Sequence, residues 1–182
     1  MRCCFFSILC LLFSQHIYAE QVLTSLRSLN TGFRLPEQCL LGSWQSDKEK
    51  TLEYNLPVWA WAEQHNFDIE ITPKLKEIHR NLFGKMMVTF DNEIMYISWS
   101  EPFFENGDIP ETEVFPYKIV QAGKNFLVSK SENSNPQYGT FFFENVDTYY
   151  IKWTQKNLRN QAGTMREYFR RITPTPKECV MP

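Results

Sequence analysis

The sequence has none of the short motifs that mark the commonest catalytic and phosphate-binding sites. It lacks an HExxH zinc motif, a Gly-x-Ser-x-Gly nucleophile elbow and a phosphate-binding glycine loop. Its three histidines and five cysteines do not follow the spacing of metal ligands. We therefore expect a protein that is not an enzyme, has no catalytic residue and uses neither a metal ion nor another cofactor.

The chain also lacks an excess of positive charge and a second long apolar run. Its 19 basic and 21 acidic residues give a formal net charge of −2 at pH 7, whereas nucleic-acid-binding proteins usually carry a basic face. After Phe13, no segment approaches the ~20 apolar residues that cross a bilayer. We therefore expect that the protein does not bind nucleic acid and is not an integral membrane protein. The sequence indicates no particular protein partner.

Four acidic residues crowd one predicted loop: Glu105, Asp108, Glu111 and Glu113. A calcium-binding loop needs oxygen ligands at set positions around a tight glycine turn. Gly107 is present, but the spacing of the acidic residues is not that of a calcium loop. We expect a solvated acidic loop here.

The first residues have the features of a secretory signal peptide. Arg2 is the only early charge, an apolar run follows from Cys3 to Phe13, and Ala19 is a small residue suited to the cleavage site. We divide the chain into a signal peptide (1–19), an arm or linker (20–38) and one barrel domain (39–182). A periplasmic or secreted protein is the expectation that follows.

Two cysteines remain after removal of this segment, Cys39 and Cys179, one near each end of the predicted domain. In an oxidising compartment, two such cysteines most simply form a disulfide bond. The alternative is a pair of free thiols.

The rest of the chain is dominated by short alternating segments, a pattern typical of β-strands. Ser46 and Glu49 have capping-box spacing, which predicts a helix to about Asn55, while Pro57 to Gln64 is compatible with helix or loop. A second helix is predicted from Pro73 to about Gly84. The predicted strands are Leu40–Ser46, Met86–Phe90, Ile94–Trp99, Val114–Val120, Phe126–Ser131, Thr140–Glu144, Tyr149–Trp153 and Met165–Ile172.

This order of segments predicts an all-β fold: a single antiparallel up-and-down barrel of about eight strands. Its two short helices form the helical segment after the first strand. A closed barrel has no free edges and needs its first and last strands side by side. Gly42-Ser43-Trp44 in the first strand is similar to the Gly-x-Trp of lipocalins, and Arg166-x-Tyr168-x-Arg170 is similar to the last strand of fatty-acid-binding proteins. The chain therefore resembles the calycin superfamily, most closely small exported lipocalin-like proteins of bacteria.

The resemblance implies roles for five residues. Arg166 and Tyr168 would bind the carboxylate of a ligand, while Arg170 would pack across the indole of Trp44, and Trp44, Arg170 and Gly42 would be structural. Arg166, Tyr168 and Arg170 share one face of a strand because they alternate. The sequence does not show which face points inward, so the opposite arrangement stays open, with the arginines in solvent and Met165 and Phe169 inside.

Two functions of different kinds fit these observations. The first is a carrier that binds a small hydrophobic or amphipathic molecule, with or without a carboxylate, inside the barrel. The second is an envelope or secreted interaction module whose barrel is filled by its own side chains. An internal cavity on the order of a few hundred Å3 would favour the carrier, and a collapsed interior with an exposed apolar patch would favour the module.

Overall fold

A computed structural model of the protein describes residues 34–64, 77, 80–102, 107–132, 136–156 and 162–181. The predicted signal peptide, most of the predicted arm, and Glu105 of the acidic loop lie outside these residues. The second predicted helix is described only in part: residues 77 and 80–82 are helical, and Gly84 has a positive φ of 88°.

Eight antiparallel strands close into a barrel, as predicted. The strands are β1 (Gly42–Ser46), β2 (Met86–Phe90), β3 (Ile94–Trp99), β4 (Glu113–Ala122), β5 (Phe126–Ser131), β6 (Tyr138–Asn145), β7 (Thr148–Lys156) and β8 (Ala162–Arg171). Each strand pairs with its neighbours in sequence, and β1 also pairs with β8. A 3-10 helix (Glu37–Leu40) precedes the barrel, and helix α1 (Lys48–Gln64) follows β1.

The strand register identifies the residues that share the inner face. Directly opposite residues in paired strands point to the same side of the sheet. Trp44 lies opposite Val88, Val88 opposite Ile97, and Ile97 opposite Glu113. Because Trp44, Val88 and Ile97 are buried core residues, this row faces the barrel interior, and Glu113 faces it too.

One end of the barrel is filled by aromatic side chains around Trp44. The Trp44 indole, which is fully buried as predicted, meets Phe143 and Tyr149 edge-on at centroid distances of 5.9 and 4.6 Å. Tyr149 in turn stacks on Phe169 at 4.9 Å. The indole Nε1 donates a hydrogen bond to the Leu40 carbonyl at 2.8 Å, so the 3-10 helix closes this end, hereafter the Trp44 end.

A disulfide bond joins the two ends of the domain across the Trp44 end, and the predicted pairing of Cys39 with Cys179 is confirmed. Their Cα atoms lie 4.7 Å apart, although 140 residues separate them in sequence. Both cysteines are buried. The bond therefore ties the 3-10 helix to the segment that follows β8.

Helix α1 begins one residue later than the sequence predicts and includes residues 57–64, the segment that the sequence left open between helix and loop. Ser46 is the last residue of β1 and does not cap the helix; the Asp47 carboxylate caps it by accepting a hydrogen bond from the Lys50 amide at 3.0 Å. The helix then runs through Pro57 to Gln64. Buried Trp59 packs with Phe83 and Met165, and this tertiary packing outweighs the cost of a proline inside a helix.

Gly42, the first residue of β1, has a backbone conformation that other residues rarely adopt. Its φ is 106°, and a Cβ atom built on it would lie 2.3 Å from Thr173 Oγ1. That hydroxyl accepts a hydrogen bond from the Ser43 amide at 3.0 Å. The start of β1 therefore needs glycine both for conformation and for space.

Candidate functional site

The last strand presents its predicted ligand residues to the outside of the barrel. Arg171 lies opposite Trp44, and Phe169 lies opposite Ser46, so both face inward. Because side chains alternate along a strand, Arg166 and Tyr168 point outward, toward α1 and solvent. The hypothesis that these two residues anchor a carboxylate inside the cavity is therefore wrong about their location.

Arg171 occupies the place that the resemblance assigned to Arg170. The Arg171 guanidinium carbon lies 4.0 Å from the centroid of the Trp44 ring, and its side chain is 1% exposed. Arg170 lies opposite Gln45 on the outer face and is exposed. The prediction is thus wrong by one residue, which in a strand exchanges the inner for the outer face.

Arg171 also donates hydrogen bonds to backbone carbonyls at the Trp44 end. Its guanidinium donates hydrogen bonds to the carbonyls of Leu41 and Cys39, both at 2.6 Å, and to Val146 at 3.2 Å. Its Nε also lies 3.3 Å from the Asp147 carboxylate. The arginine therefore joins the 3-10 helix, the β6–β7 turn and the indole of Trp44.

We expect Arg171→Met to lower the free energy of unfolding by about 2–3 kcal/mol, because it leaves these carbonyls without their charged donor. Arg170→Met is the matched control and should change stability by less than about 0.5 kcal/mol, as exposed substitutions usually do. Urea denaturation of the two variants measures the difference. Equal losses for both would contradict the assignment of the inner face.

Helix α1 completes the hydrogen bonding of β8 where β1 has ended. The Asn55 side chain accepts a hydrogen bond from the Arg166 amide at 3.0 Å and donates one to the Arg166 carbonyl at 2.7 Å. The Thr51 hydroxyl accepts a hydrogen bond from the Tyr168 amide at 2.9 Å. Both side chains are fully buried, so α1 takes the place of a neighbouring strand along this edge.

Away from the Trp44 end, several inner-face residues are small or partly exposed, whereas Met165 is buried against Trp59 and Phe83. Ser129 and Gly139 lie opposite each other on β5 and β6, on the inner side. Trp99, Glu113 and Gly139 remain partly exposed although they face inward. Solvent therefore reaches the inner face at the end of the barrel where β3 ends and β4 begins, hereafter the far end.

Glu113 is a candidate site residue that the sequence did not reveal. It was expected in a solvated loop, but it is the first residue of β4 and lies opposite buried Ile97. Partial burial raises the pKa of its carboxyl. Among the described residues, none forms an ion pair or hydrogen bond with this side chain, so its carboxyl is available to a ligand.

Glu167 is a second carboxyl on the inner face. Its side chain is 4% exposed and accepts a hydrogen bond from the Ser46 hydroxyl at 2.6 Å. That hydroxyl accepts one in turn from the Gly84 amide at 2.9 Å. Burial raises the pKa of Glu167 to about 7, although the bond from Ser46 opposes the shift.

This pKa makes stability depend on pH in a defined direction. Between pH 4.5 and about 7, Glu167 is ionised in the unfolded chain but protonated in the fold, so raising the pH favours unfolding. We expect Glu167→Gln to gain on the order of 3 kcal/mol over the wild type across this window. The measurement is the free energy of unfolding of both proteins at a series of pH values. If it changed with pH in the same way for both, the raised pKa of Glu167 in the fold would be contradicted.

The charges of the inner face do not suit a carboxylate ligand. Glu113 and Glu167 are acidic, and Arg171, the inward cation among the described residues of β8, is occupied by carbonyls at the Trp44 end. Above the pKa of Glu167, about 7, a carboxylate placed near the two glutamates would meet like charges. A neutral or basic polar group would instead find hydrogen-bond acceptors.

The described surface also contains a pocket at the Trp44 end. Its volume is about 320 Å3, and it is lined by Lys124, Asn125, Phe143, Glu144 and Met181. This pocket is separate from the inner face at the far end, because neither Glu113 nor Glu167 lines it.

In the described part of the chain, no group of three or more His, Cys, Asp or Glu side chains is placed to hold a metal ion. Among the described helices, none is long and apolar enough to cross a membrane.

Comparisons with known proteins give no match for this chain, whether with family models, with curated sequences or with solved structures.

Proposed function

We propose that the protein is a lipocalin-like carrier that binds one small hydrophobic or amphipathic molecule inside the far end of its barrel. The observation that carries the proposal is the change along the inner face, from a packed aromatic cluster around Trp44 to small or partly exposed residues at Ser129 and Gly139. Closed eight-stranded barrels have an interior wide enough for side chains or one small ligand.

The ligand that fits this interior has a neutral or basic polar group. Moving a carboxylate into an apolar space without a cationic partner is costly, and at pH 8, above the pKa of Glu167 of about 7, Glu113 and Glu167 add repulsion. A hydroxyl or an amine can donate hydrogen bonds to these carboxyls instead. This proposal replaces the fatty-acid-like ligand that the resemblance implied.

We further propose that the protein acts without catalysis after export to the periplasm or the cell exterior. The Cys39–Cys179 disulfide supports export, because such bonds persist in oxidising compartments. Residues 1–19 have the composition of a signal peptide.

The experiment is a competition assay with the purified protein and the neutral fluorescent probe N-phenyl-1-naphthylamine. Dodecanol, dodecylamine and dodecanoate, which share one chain length, compete for the probe at pH 8. We expect the alcohol and the amine to displace the probe at concentrations about tenfold below those needed for the acid, a difference of 1.4 kcal/mol.

A blocking variant tests whether the probe sits in the barrel. Ser129→Leu adds bulk on the inner face, and Thr140→Leu adds the same bulk on the outer face of the neighbouring strand, since Thr140 lies opposite Val128. We expect the first variant to lose probe binding and the second to keep it. Binding that survives in both, or that is absent from the wild type, would refute the carrier.

The alternative function, an interaction module with a filled barrel, is favoured by the close ring contacts at the Trp44 end. Phe90, Phe141 and Tyr117 extend this cluster through contacts of 5.2 and 5.5 Å. If the wild-type protein binds none of the probes, this function becomes the better explanation of the fold.

A further inference from the structure

Arg166 is held rigidly on the outside of the barrel by three tyrosines. Its guanidinium carbon lies 4.2 Å from the ring centroid of Tyr54 on α1 and 4.3 Å from that of Tyr150 on β7. One guanidinium nitrogen donates a hydrogen bond to the Tyr168 hydroxyl at 2.9 Å. The cation is therefore preorganised between two ring faces, and its planar group has few other orientations available.

Lys152 lies directly opposite Arg166 in the pairing of β7 with β8. Its ammonium group is 4.3 Å from the ring centroid of Phe142, and the residue is exposed. Partial burial and the charge of Arg166 lower the pKa of Lys152. Two cations thus face the same small area of surface and repel each other.

Glu144, which lies close to Tyr168, does not neutralise this pair. Glu144 forms its ion pair with Lys50, whose ammonium lies 4.9 Å from the ring centroid of Tyr168. Among the described residues, no carboxylate forms an ion pair with either Lys152 or Arg166. Counting Lys50, Glu144, Lys152 and Arg166 together, the area keeps two positive charges without a partner.

We propose that this surface is an anion-binding site, separate from the barrel interior, in which Lys152 and Arg166 hold one phosphate or sulfate group. A doubly charged oxyanion would neutralise both cations, whereas a carboxylate would neutralise one. Arginine and lysine are the usual donors to such groups, the first through its planar fork and the second as a point charge.

The arrangement of the rings argues against a nucleic acid as the occupant. Proteins that bind single strands leave aromatic faces open for bases to stack on. Here Arg166 covers faces of Tyr54 and Tyr150, and Phe142 has Lys152 over its ring and stacks on Tyr150 at 5.3 Å. The rings position the protein's own cations, which leaves a charged site for a single anionic group.

The test is an NMR titration of the purified protein with inorganic phosphate at constant ionic strength, with acetate as the comparison anion. We expect saturable shifts of the backbone amides at residues 150–152 and 166–168, and binding of phosphate at least about tenfold tighter than binding of acetate. Shifts that are linear in concentration, or equal for the two anions, would overturn the proposal.

Three substitutions locate the site. Lys152→Gln should weaken phosphate binding about tenfold, and Lys152→Glu should abolish it by placing a carboxylate opposite Arg166. Lys130→Gln is the matched control, because Lys130 lies 5.8 Å from the ring centroid of Tyr138 on the same outer face, and the cation opposite it, Lys118, is already paired with Glu132 at 2.6 Å. Both positions are on the outer face, and thermal unfolding checks that each of the three variants folds. An equal loss in Lys130→Gln would show diffuse electrostatics and contradict a site.

Discussion

Replacing Cys39 and Cys179 together by serine is expected to lower the free energy of unfolding by about 4–5 kcal/mol. The disulfide closes a loop of 140 residues, and on the chain-entropy account a cross-link of this length strongly restricts the unfolded chain. The bond also holds the 3-10 helix over the Trp44 end, so its loss frees both ends of the domain. Urea denaturation under non-reducing conditions measures the effect.

The control is the wild-type protein with its disulfide reduced, which should unfold at nearly the same urea concentration as the double variant. Glu178→Ser provides a second control, because it changes an exposed residue next to Cys179 and leaves the bond intact. If the double variant were as stable as the wild type, the closing of the barrel would depend on the strands alone.

Trp44→Ala is expected to cost about 3–5 kcal/mol, the usual range for removing a large aromatic side chain from a core. The indole is fully buried, contacts Phe143 and Tyr149, and supports the guanidinium of Arg171. Its removal leaves a cavity and takes away the hydrogen bond to Leu40. The variant should therefore unfold at a much lower urea concentration.

Two further variants show whether this loss comes from the core. Trp44→Phe should recover part of the stability, because a smaller ring still fills some of the space. Tyr138→Ala removes a partly exposed ring from the outer face and should cost less than about 1 kcal/mol. A small effect of Trp44→Ala would mean that the Trp44 end is not a packed core.

The barrel itself was predictable because its evidence is local and repeated. Alternating segments joined by short turns predict an antiparallel meander, and the cysteines near both ends agree with first and last strands that meet. The predicted strands overlap all eight observed strands, and the errors are confined to their ends. Strand ends depend on pairing with a neighbour, which alternation in one segment does not show.

The orientation of β8 was not predictable, because its sequence has two mixed faces. Met165, Glu167, Phe169 and Arg171 point inward, while the outer face carries Arg166 and Tyr168. Each face contains apolar and charged side chains, so hydrophobic alternation does not distinguish them. The resemblance implied that Arg170 packs on Trp44, whereas Arg171 does. This error of one residue placed Arg166 and Tyr168 inside the barrel, although both lie on its outer face.

The length of helix α1 and the acidic residues of the interior also depend on tertiary contacts that the local sequence does not reveal. A proline normally ends a helix, so the local sequence leaves residues 57–64 open between helix and loop. Helix α1 continues through Pro57 because Asn55 contacts β8 and Trp59 packs with Phe83 and Met165. Likewise, Glu113 belongs to an acidic run in the sequence, and only its pairing with Ile97 places it inside the barrel.

The sequence by itself therefore determined the all-β class and the number of strands, and it favoured a disulfide between the two cysteines over free thiols. These follow from alternation, turn residues and composition, which act over a few residues at a time. The tertiary structure decided which arginine meets Trp44, where α1 ends and which charges line the interior. These depend on strand register and on contacts between residues more than 100 positions apart, such as Asn55 with Arg166.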